Sequence, residues 1–562
     1  RVAMELYGEL LRDPRAFDWH YSPMESLAVL TTPHPMPFEH WFEVALARKE
    51  HESALEIADL ARRHRFFSSI PYGGRLLALR WVLEAPVDQL DPAAQLQRQD
   101  LLARYPAYAA LAQQAGEARA SLVAMPRVAG DQETSRRQGE LLGQLAAISA
   151  QQEVLLREMA VRREPADLVF PPVRSHKQIQ ESLPEGHALM AFFATSRHVY
   201  AFLINKQKYT YWQIGAPAAV ARDVGALLRE LGQFQANSEM SPQDLASTNW
   251  KKAAAALLDS LLRGSQADFT QKFDELVIVP DGVLWYLPFE ALQVSIEGQP
   301  RPLISRFRIR YAPTASLALA SSDRARNPAG HTAVMIGKLF PRDDPAVAQA
   351  AFERLAAAVP GAVAVRSAPG SSSLYATLFD RLIVFDDLSD TGQTPYGWSP
   401  LPLDRGKPLS ALADWLVLPF GAPDVVLLPG YHTAAEDALK GVGRGAPGQE
   451  VFLSVCGLMA SGTRTVLLSR WRTGGQSSYQ IVREFAQELP HTTPSDSWQR
   501  AVFVTAGSTI DPESEPRVKR TATEQAIKGS HPFFWAGYLL VDPGIAPFKA
   551  EPPGEAPVVG EK

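Results

Sequence analysis

Apolar positions along the chain change their spacing near residue 165. Before that point Ala, Leu, Arg, Glu and Gln are abundant, and apolar residues recur every three or four positions, which predicts helices throughout. Residues 164–172 read Glu-Pro-Ala-Asp-Leu-Val-Phe-Pro-Pro, and proline residues in such a run end a helix. The pattern therefore predicts an all-α region over 1–165 and a different domain after it.

Apolar runs of strand length alternate with helical stretches after this boundary. The runs predict strands at 189–193, 199–204, 208–214, 276–279, 333–336, 382–385, 425–428, 465–469 and 534–541. Helices are predicted at 218–231, 250–262, 345–357, 449–460 and 476–488. Such alternation is typical of an α/β sheet with helices on both faces. We predict one domain over 166–545, followed by a flexible tail at 546–562 that is rich in Pro, Gly and Glu.

Two parts of the helical region have a more specific pattern. Between Phe38 and Phe67 the apolar spacing predicts two short antiparallel helices, which resemble one degenerate tetratricopeptide repeat. Any helical hairpin gives a similar pattern, so a repeat origin stays one of two alternatives. Near 137–160 the apolar residues follow heptad-like spacing, for which we expect packing within the chain rather than an intermolecular coiled coil.

Composition and charge exclude several classes of protein. The net charge is −5 and no long basic run occurs, so we expect no nucleic-acid partner. Apolar stretches stay well short of the roughly 18 to 20 residues that a membrane helix needs, so we expect a soluble protein without a membrane partner. The single cysteine, Cys456, excludes an intramolecular disulfide and fits a reducing cytoplasm. Because the sequence starts with Arg1 inside a helical pattern, we expect it to begin within a longer polypeptide.

Four sequence blocks resemble the CHAT domain, a bacterial relative of the caspases that is often fused to tetratricopeptide repeats. They are VIVPDGVLWYLPFEAL at 277–292, RIRYAPTASL at 308–317, TVLLSRW at 465–471 and HPFFWAGY at 531–538. The blocks occur in the family's order, and the resemblance spans about 167–542. It implies a caspase-like α/β fold, cysteine peptidase ancestry and, frequently, a role in bacterial conflict systems in which a partner controls the peptidase.

The family's catalytic positions carry the wrong residues for peptidase chemistry. The strand motif that ends in the family's histidine falls on LIVFDDLS at 382–389, which puts Leu388 at that position. The motif with the nucleophilic cysteine falls on VLLPGYHT at 426–433, which puts Tyr431 there. Leucine cannot act as a base, and a tyrosine hydroxyl with a pKa near 10 is a poor acyl-transfer nucleophile. We therefore predict no catalytic residues in a degenerate dyad formed by Leu388 and Tyr431.

The remaining chemistry-bearing residues give weaker alternatives. Cys456 lies among apolar residues of a predicted helix, where a thiol behaves as a small hydrophobe, but a rewired site of His432 and Cys456 is kept as an alternative. Asp386 and Asp387 are interpreted as a solvated strand end. The glycine-rich segment 441–448 lacks the Lys-Ser/Thr of a phosphate loop, and no histidines have metal-ligand spacing, so neither a cofactor nor a metal is expected.

The favoured hypothesis is a catalytically inactive CHAT pseudopeptidase that acts as a protein-interaction or assembly scaffold in the cytoplasm. Its partner, or a second copy, is expected to bind the helical region before Glu164, because stacked helical hairpins present extended surfaces. Under this hypothesis the residues after 164 fold without that region. The alternatives are a cysteine peptidase with a rewired site and a self-assembling structural subunit.

Overall fold

The computed structural model describes residues 2–87, 90, 92–162, 164, 170–235, 237–265, 267, 273–320, 330–338, 345–389, 394–404, 408–417, 421, 423–433, 435–440, 446–520 and 526–544. The predicted tail at 546–562 and part of the glycine-rich segment, 441–445, lie outside these residues.

The region before residue 162 is helical, as its apolar spacing predicts. Its helices are α1 (Val2–Leu10), α2 (Ala16–Tyr21), α3 (Pro23–Thr31), α4 (Pro35–Ala47), α5 (His51–Phe67), α6 (Arg75–Glu84), α7 (Pro92–Arg104), α8 (Pro106–Ala124) and α9 (Gln132–Val161). Helices α4 and α5 form the predicted hairpin. The apolar stripe of α9, with Leu141, Leu145 and Ile148 buried, packs within the chain against α8, as expected.

Strands of the second part form one mixed sheet. Its members are β1 (His187–Ala194), β2 (Val199–Asn205), β3 (Tyr209–Gly215), β4 (Glu275–Val279), β7 (Arg308–Tyr311), β8 (Thr332–Ile336), β9 (Ala362–Ala364), β10 (Arg381–Phe385), β12 (Val425–Leu428), β14 (Thr465–Ser469) and β17 (Tyr538–Val541). They lie in the order β3-β2-β1-β4-β7-β17-β14-β12-β10-β8-β9. Strands β8, β10, β12 and β14 run parallel, which requires crossover connections such as the helices that follow them.

Helices and short strand pairs complete this part. The helices are α10 (His176–Ser182), α11 (Pro217–Glu230), α12 (Pro242–Ala246), α13 (Asn249–Leu262), α14 (Pro345–Ala358), α15 (Ser372–Ala376), α16 (Leu412–Val417), α17 (Ala435–Leu439), α18 (Gln449–Ala460), α19 (Gly475–Glu488) and α20 (Pro494–Gly507). The short strands are β5 (Gln293–Ile296), β6 (Gln299–Pro302), β11 (Leu388–Ser389), β13 (Tyr431–His432), β15 (Thr509–Ile510) and β16 (Ile527–Lys528). The architecture is thus an all-α region followed by a large mixed sheet flanked by helices. Within the described residues, no helix combines the length and the apolar character that a bilayer crossing requires.

The helical region and the sheet share an apolar core. Phe42 of α4 packs on Phe193 of β1, with 4.7 Å between the ring centroids. Ala58 of α5 belongs to the same buried cluster as Ala191 and Val277 of the sheet. The expectation that the residues after 164 fold without the helices is therefore not supported, because removing α4 and α5 would expose one face of β1, β2 and β4 to water.

Buried polar contacts reinforce this packing. The carboxylate of Asp59 in α5 accepts hydrogen bonds from the backbone N–H groups of Ala315 and Ser316, at 2.9 and 2.8 Å. Arg62, one turn later, pairs with Asp59 at 3.2 Å and donates to the carbonyl of Phe192 in β1. Helix α5 is thus bonded to both the sheet and the second of the four sequence blocks.

Candidate functional site

The two expected dyad positions lie side by side beyond the carboxyl ends of adjacent strands. Strands β10 and β12 pair in parallel, and β11 and β13 continue them as a second parallel pair. Leu388 is the register partner of Tyr431, and its N–H donates to the carbonyl of Gly430 at 2.9 Å. Their predicted proximity is confirmed. A crevice at this edge is where open α/β sheets place their ligand sites.

Both side chains are buried at this edge instead of facing solvent. Leu388 is 2% exposed and Tyr431 is fully buried. The Tyr431 hydroxyl shares a hydrogen bond of 3.0 Å with the hydroxyl of Ser454 in α18, which also accepts from Trp398 Nε1 at 3.0 Å. The Trp398 ring lies 4.9 Å from the tyrosine ring. The tyrosine hydroxyl therefore has a polar partner in an otherwise apolar environment.

A polar cluster occupies the opposite face of the same strand ends. His432 Nε2 lies 2.6 Å from Asp387 Oδ1, and Arg472 approaches the second oxygen of Asp387 at 3.3 Å. The hydrogen bond from His432 lowers the pKa of Asp387, and the Arg472 charge acts in the same direction. Asp387 keeps 33% of its side chain exposed at this strand end, and it is also paired with His432. Its carboxylate orients an imidazole.

Backbone geometry at this edge requires a glycine between β12 and β13. A Cβ atom at Gly430 would lie 1.7 Å from the carbonyl oxygen of Asp386, far inside any contact distance. The close approach brings the two strand ends together and lets Leu388 pair with Tyr431. Any larger residue at position 430 would push these ends apart.

The Cys456 thiol, which the alternative site combines with His432, does not face Tyr431 or His432. Cys456 is fully buried in α18, and burial raises the pKa of its thiol well above the ordinary value while the charge of Arg65 opposes that shift. Ser454, which contacts Tyr431, precedes Cys456 by two positions, so the cysteine is rotated by about 200° around the helix axis. His432 instead bonds to Asp387. The structure therefore does not bring His432 and Cys456 into one site.

Arg470 joins all four sequence blocks that resemble the CHAT family. Its buried guanidinium donates to the carbonyl of Trp285 at 3.3 Å and to that of Ala536 at 3.2 Å. It lies 3.6 Å from Glu290, which accepts a hydrogen bond of 2.7 Å from the Tyr311 hydroxyl. Burial raises the pKa of Glu290, although the Arg470 charge opposes the shift. These blocks thus form one buried polar network.

Asp281, in the first block, connects the sheet with the helical region. Its carboxylate accepts from the Ala194 N–H at 3.0 Å and from Arg65 of α5 at 2.9 Å. Desolvation would raise its pKa, but the charges of Arg65 and Arg62 prevail and the pKa of Asp281 is lowered. This carboxylate is 3% exposed and forms a structural ion pair. No described group of three or more His, Cys, Asp or Glu side chains has the proximity to hold a metal ion.

Comparison with known protein families supports the CHAT resemblance over part of the chain. Residues 248–416 match the sequence profile of the CHAT domain. No curated protein sequence matches the chain.

Two solved structures of the Saccharomyces cerevisiae separase–securin complex, at 3.0 and 2.6 Å resolution, are similar to this chain over 97% of its length. The identities are 8% and 7%, and the TM-scores are 0.39 and 0.38. This chain covers 48% and 40% of those chains, which is less than half of their length. The mixed sheet with flanking helices agrees with the caspase-like fold that the four blocks imply. Over residues 248–416 the chain is similar to the CHAT domain family, so the resemblance found in the sequence is confirmed for this segment, which contains the first two of the four blocks.

Proposed function

We propose that this protein is a catalytically inactive CHAT pseudopeptidase that acts as a cytoplasmic protein-interaction or assembly scaffold. The observation that carries the proposal is that Leu388 and Tyr431 lie side by side and buried. These are the two positions that the CHAT resemblance assigns to the family's histidine and cysteine. A leucine offers no lone pair to a proton, and the tyrosine hydroxyl is already bonded to Ser454. Peptide hydrolysis through this dyad has neither its base nor its nucleophile.

The rewired peptidase receives little support. Its thiol is buried and disfavoured from ionising, and the thiolate is the form that attacks a peptide bond. A serine hydroxyl is a second candidate nucleophile that has to be tested, because Ser389 is the register partner of His432 and Asp387 bonds to the same imidazole. Neither Ser389 nor His432 has a described hydrogen bond to the other. Catalysis by the Ser389 hydroxyl is therefore not proposed, and the experiment below tests it with its own probe and variant.

The helical region offers the apolar surface that a scaffold needs. Three side chains of α1, namely Val2, Leu6 and Leu10, are 56 to 68% exposed, and Phe17 and Tyr21 of α2 are 74 and 81% exposed. Large apolar side chains grouped in this way on a surface are typical of protein contact sites. They support binding of a partner, or of a second copy, through the helices before Glu164.

Catalysis is tested with covalent probes and substrates. The purified protein is incubated with a peptide library, an iodoacetamide probe for thiols and a fluorophosphonate probe for activated hydroxyl groups. We expect neither cleavage nor labelling, because the side chains of Cys456 and Tyr431 are both fully buried. Time-dependent cleavage that is abolished by Cys456→Ala, Ser389→Ala or His432→Ala would overturn the pseudopeptidase proposal.

Scaffolding is tested with a variant of the apolar surface. Leu6→Glu with Leu10→Glu should reduce the native particle mass or the amount of co-purifying protein in the cells of origin. Val154→Glu is a matched control, because Val154 is 65% exposed on α9, away from α1. A monomeric protein that captures nothing, or equal assembly of both variants, would contradict the scaffold proposal in this form. The native mass of the purified protein separates self-assembly from binding of another protein.

A further inference from the structure

Strand β3 forms one outer edge of the mixed sheet. It is the first strand in the sheet order, and among the described residues it pairs with β2 alone. The edge strand has seven residues, Tyr-Thr-Tyr-Trp-Gln-Ile-Gly, without a charge or a proline among them. Charges, prolines and covering segments are the usual protections of such an edge against pairing with another chain.

The hairpin geometry identifies the backbone groups that face outward. The Asn205 N–H donates to the Lys208 carbonyl at 2.9 Å, so these opposed residues form a hydrogen-bonded pair. In an antiparallel ladder such pairs alternate with non-bonded ones, so Thr210 and Trp212 also point their backbone groups at β2. Tyr209, Tyr211 and Gln213 must then point theirs away from the sheet. Within the described part of the chain, no backbone hydrogen bond reaches these outward groups.

A cavity of about 650 Å³ lies over this edge. Glu43 and Leu46 of α4 line one side of it, and Gly264, just after α13, lines the other. Tyr211 and Gln213 belong to the same lining. The edge is thus recessed between two walls, which admit a single extended chain more readily than a second sheet with its own covering helices.

Exposed cations flank both ends of the edge. Lys206 and Lys208 are exposed in the turn before β3. At the other end Arg197 is exposed and lines the cavity, and Arg263 is exposed beside Gly264. Within the cavity lining, Glu43 is the one carboxylate that the described structure provides. Glu52 and Glu56 act on Tyr209 near one end of the edge, but neither lines the cavity. The exposed cations at both ends favour an occupant with acidic side chains.

We propose that β3 is a docking edge for an extended, acidic segment of a partner protein, which adds a strand to the sheet. The partner's backbone would bond to Tyr209, Tyr211 and Gln213, and every second side chain would enter the cavity beside Arg197. This surface is separate from the apolar face of α1 and α2. The docking proposal requires no assumption about Leu388 and Tyr431. Its test and the test of the proposed function can therefore give different outcomes.

Binding is tested with a defined peptide, fluorescein-labelled (Val-Glu)₄, by fluorescence anisotropy and hydrogen–deuterium exchange of the full chain. We expect saturable binding and slower exchange in residues 205–216. The same peptide with alternate backbone amides methylated should bind at least about tenfold more weakly, because it cannot complete the ladder. The lysine counterpart, (Val-Lys)₄, should be similarly weak because it meets the flanking cations.

A pair of variants at one position separates the backbone from the side chain. Gln213→Pro removes an outward N–H and leaves the bonds to β2 in place, so binding should weaken at least about tenfold. Gln213→Ala keeps that N–H and should change binding less than about threefold. The double variant Lys206→Glu with Lys208→Glu tests the charge without touching β3, and it should weaken binding and reduce its salt dependence.

Several outcomes would overturn the proposal. They are no binding of (Val-Glu)₄ at millimolar concentration, equal binding of the methylated peptide, and equal losses in Gln213→Pro and Gln213→Ala. If the exchange protection of residues 205–216 rises with protein concentration alone, the occupant of the edge is a second copy of this chain and not a segment of a partner protein. Unchanged thermal unfolding of the Gln213→Pro variant confirms that its loss of binding is local.

Discussion

Replacing Asp59 with alanine tests whether the helical region and the sheet form one cooperative unit. The carboxylate accepts hydrogen bonds from the Ala315 N–H, the Ser316 N–H and the Ser316 hydroxyl at 2.8 to 3.0 Å. It also pairs with Arg62, whose side chain is 1% exposed. Asp59→Ala would therefore leave two backbone donors and one buried cation without their acceptor.

The size of the effect follows from these contacts. A hydrogen bond to a charged group contributes about 1.5 to 3 kcal/mol, and removing one partner of a buried ion pair costs about 3 to 5 kcal/mol. The contributions overlap because one carboxylate makes all of the contacts. We expect the free energy of unfolding to fall by about 3 to 5 kcal/mol, which is a large part of the total stability of most domains.

Urea denaturation followed by circular dichroism and tryptophan fluorescence measures this loss. Asp59→Asn keeps the shape but lacks the charge, so it should also lose more than about 2 kcal/mol. Glu153→Ala is the control, because its pair with Arg157 lies on the surface of α9 and contributes less than about 0.5 kcal/mol. A loss below about 1 kcal/mol for Asp59→Ala, or separate transitions for helices and sheet, would refute a shared core joined at Asp59.

Two further predictions concern pH and backbone geometry. Burial lowers the pKa of His531 to about 4, so protonation is penalised in the folded state, and stability should fall by about 3 kcal/mol as the pH drops from about 6.5 to 4. His531→Asn should flatten this dependence in urea titrations, and an unchanged slope would contradict the assignment. Gly430→Ala should cost more than about 2 kcal/mol because its Cβ would strike the Asp386 carbonyl. Gly143→Ala, with nothing within 4 Å, should instead stabilise α9 by about 0.5 to 1 kcal/mol in the same assay.

Local apolar pattern predicted most of the sheet but missed β9, which has three residues, and β7. Arg308 and Arg310 occupy alternate positions of that strand, and a run with two arginines does not have the pattern of a buried strand. Arg310 is nevertheless buried, because Glu275 of the neighbouring strand accepts from its Nε at 2.6 Å. The compensating charge is distant in sequence, so no window around β7 reveals it. Helix α20 was missed as well, and the predicted strand at 534–541 begins only at Tyr538.

The candidate site was predictable in position but not in its polar chemistry. The carboxyl ends of parallel strands meet at one edge, which was enough to bring Leu388 and Tyr431 together. The bond between Asp387 and His432 depends on which face each side chain takes. Once Leu388 pairs with Tyr431, the two-residue period of a strand puts Asp387 and His432 on the opposite face. That inference needs the register, and a sequence without a structure does not supply it.

The structure also explains how the CHAT resemblance can persist with Leu388 and Tyr431 at the two positions that it assigns to the dyad. The quoted blocks meet at Arg470 through Trp285, Glu290 and Ala536, and Asp281 holds the helical region through Arg65. These contacts stabilise the fold, and none of them requires a particular residue at 388 or 431. Under the proposed function, loss of the catalytic pair would therefore leave the recognisable motifs intact. The motifs report the architecture of the domain, whereas peptidase chemistry would depend on the residues at the two strand ends.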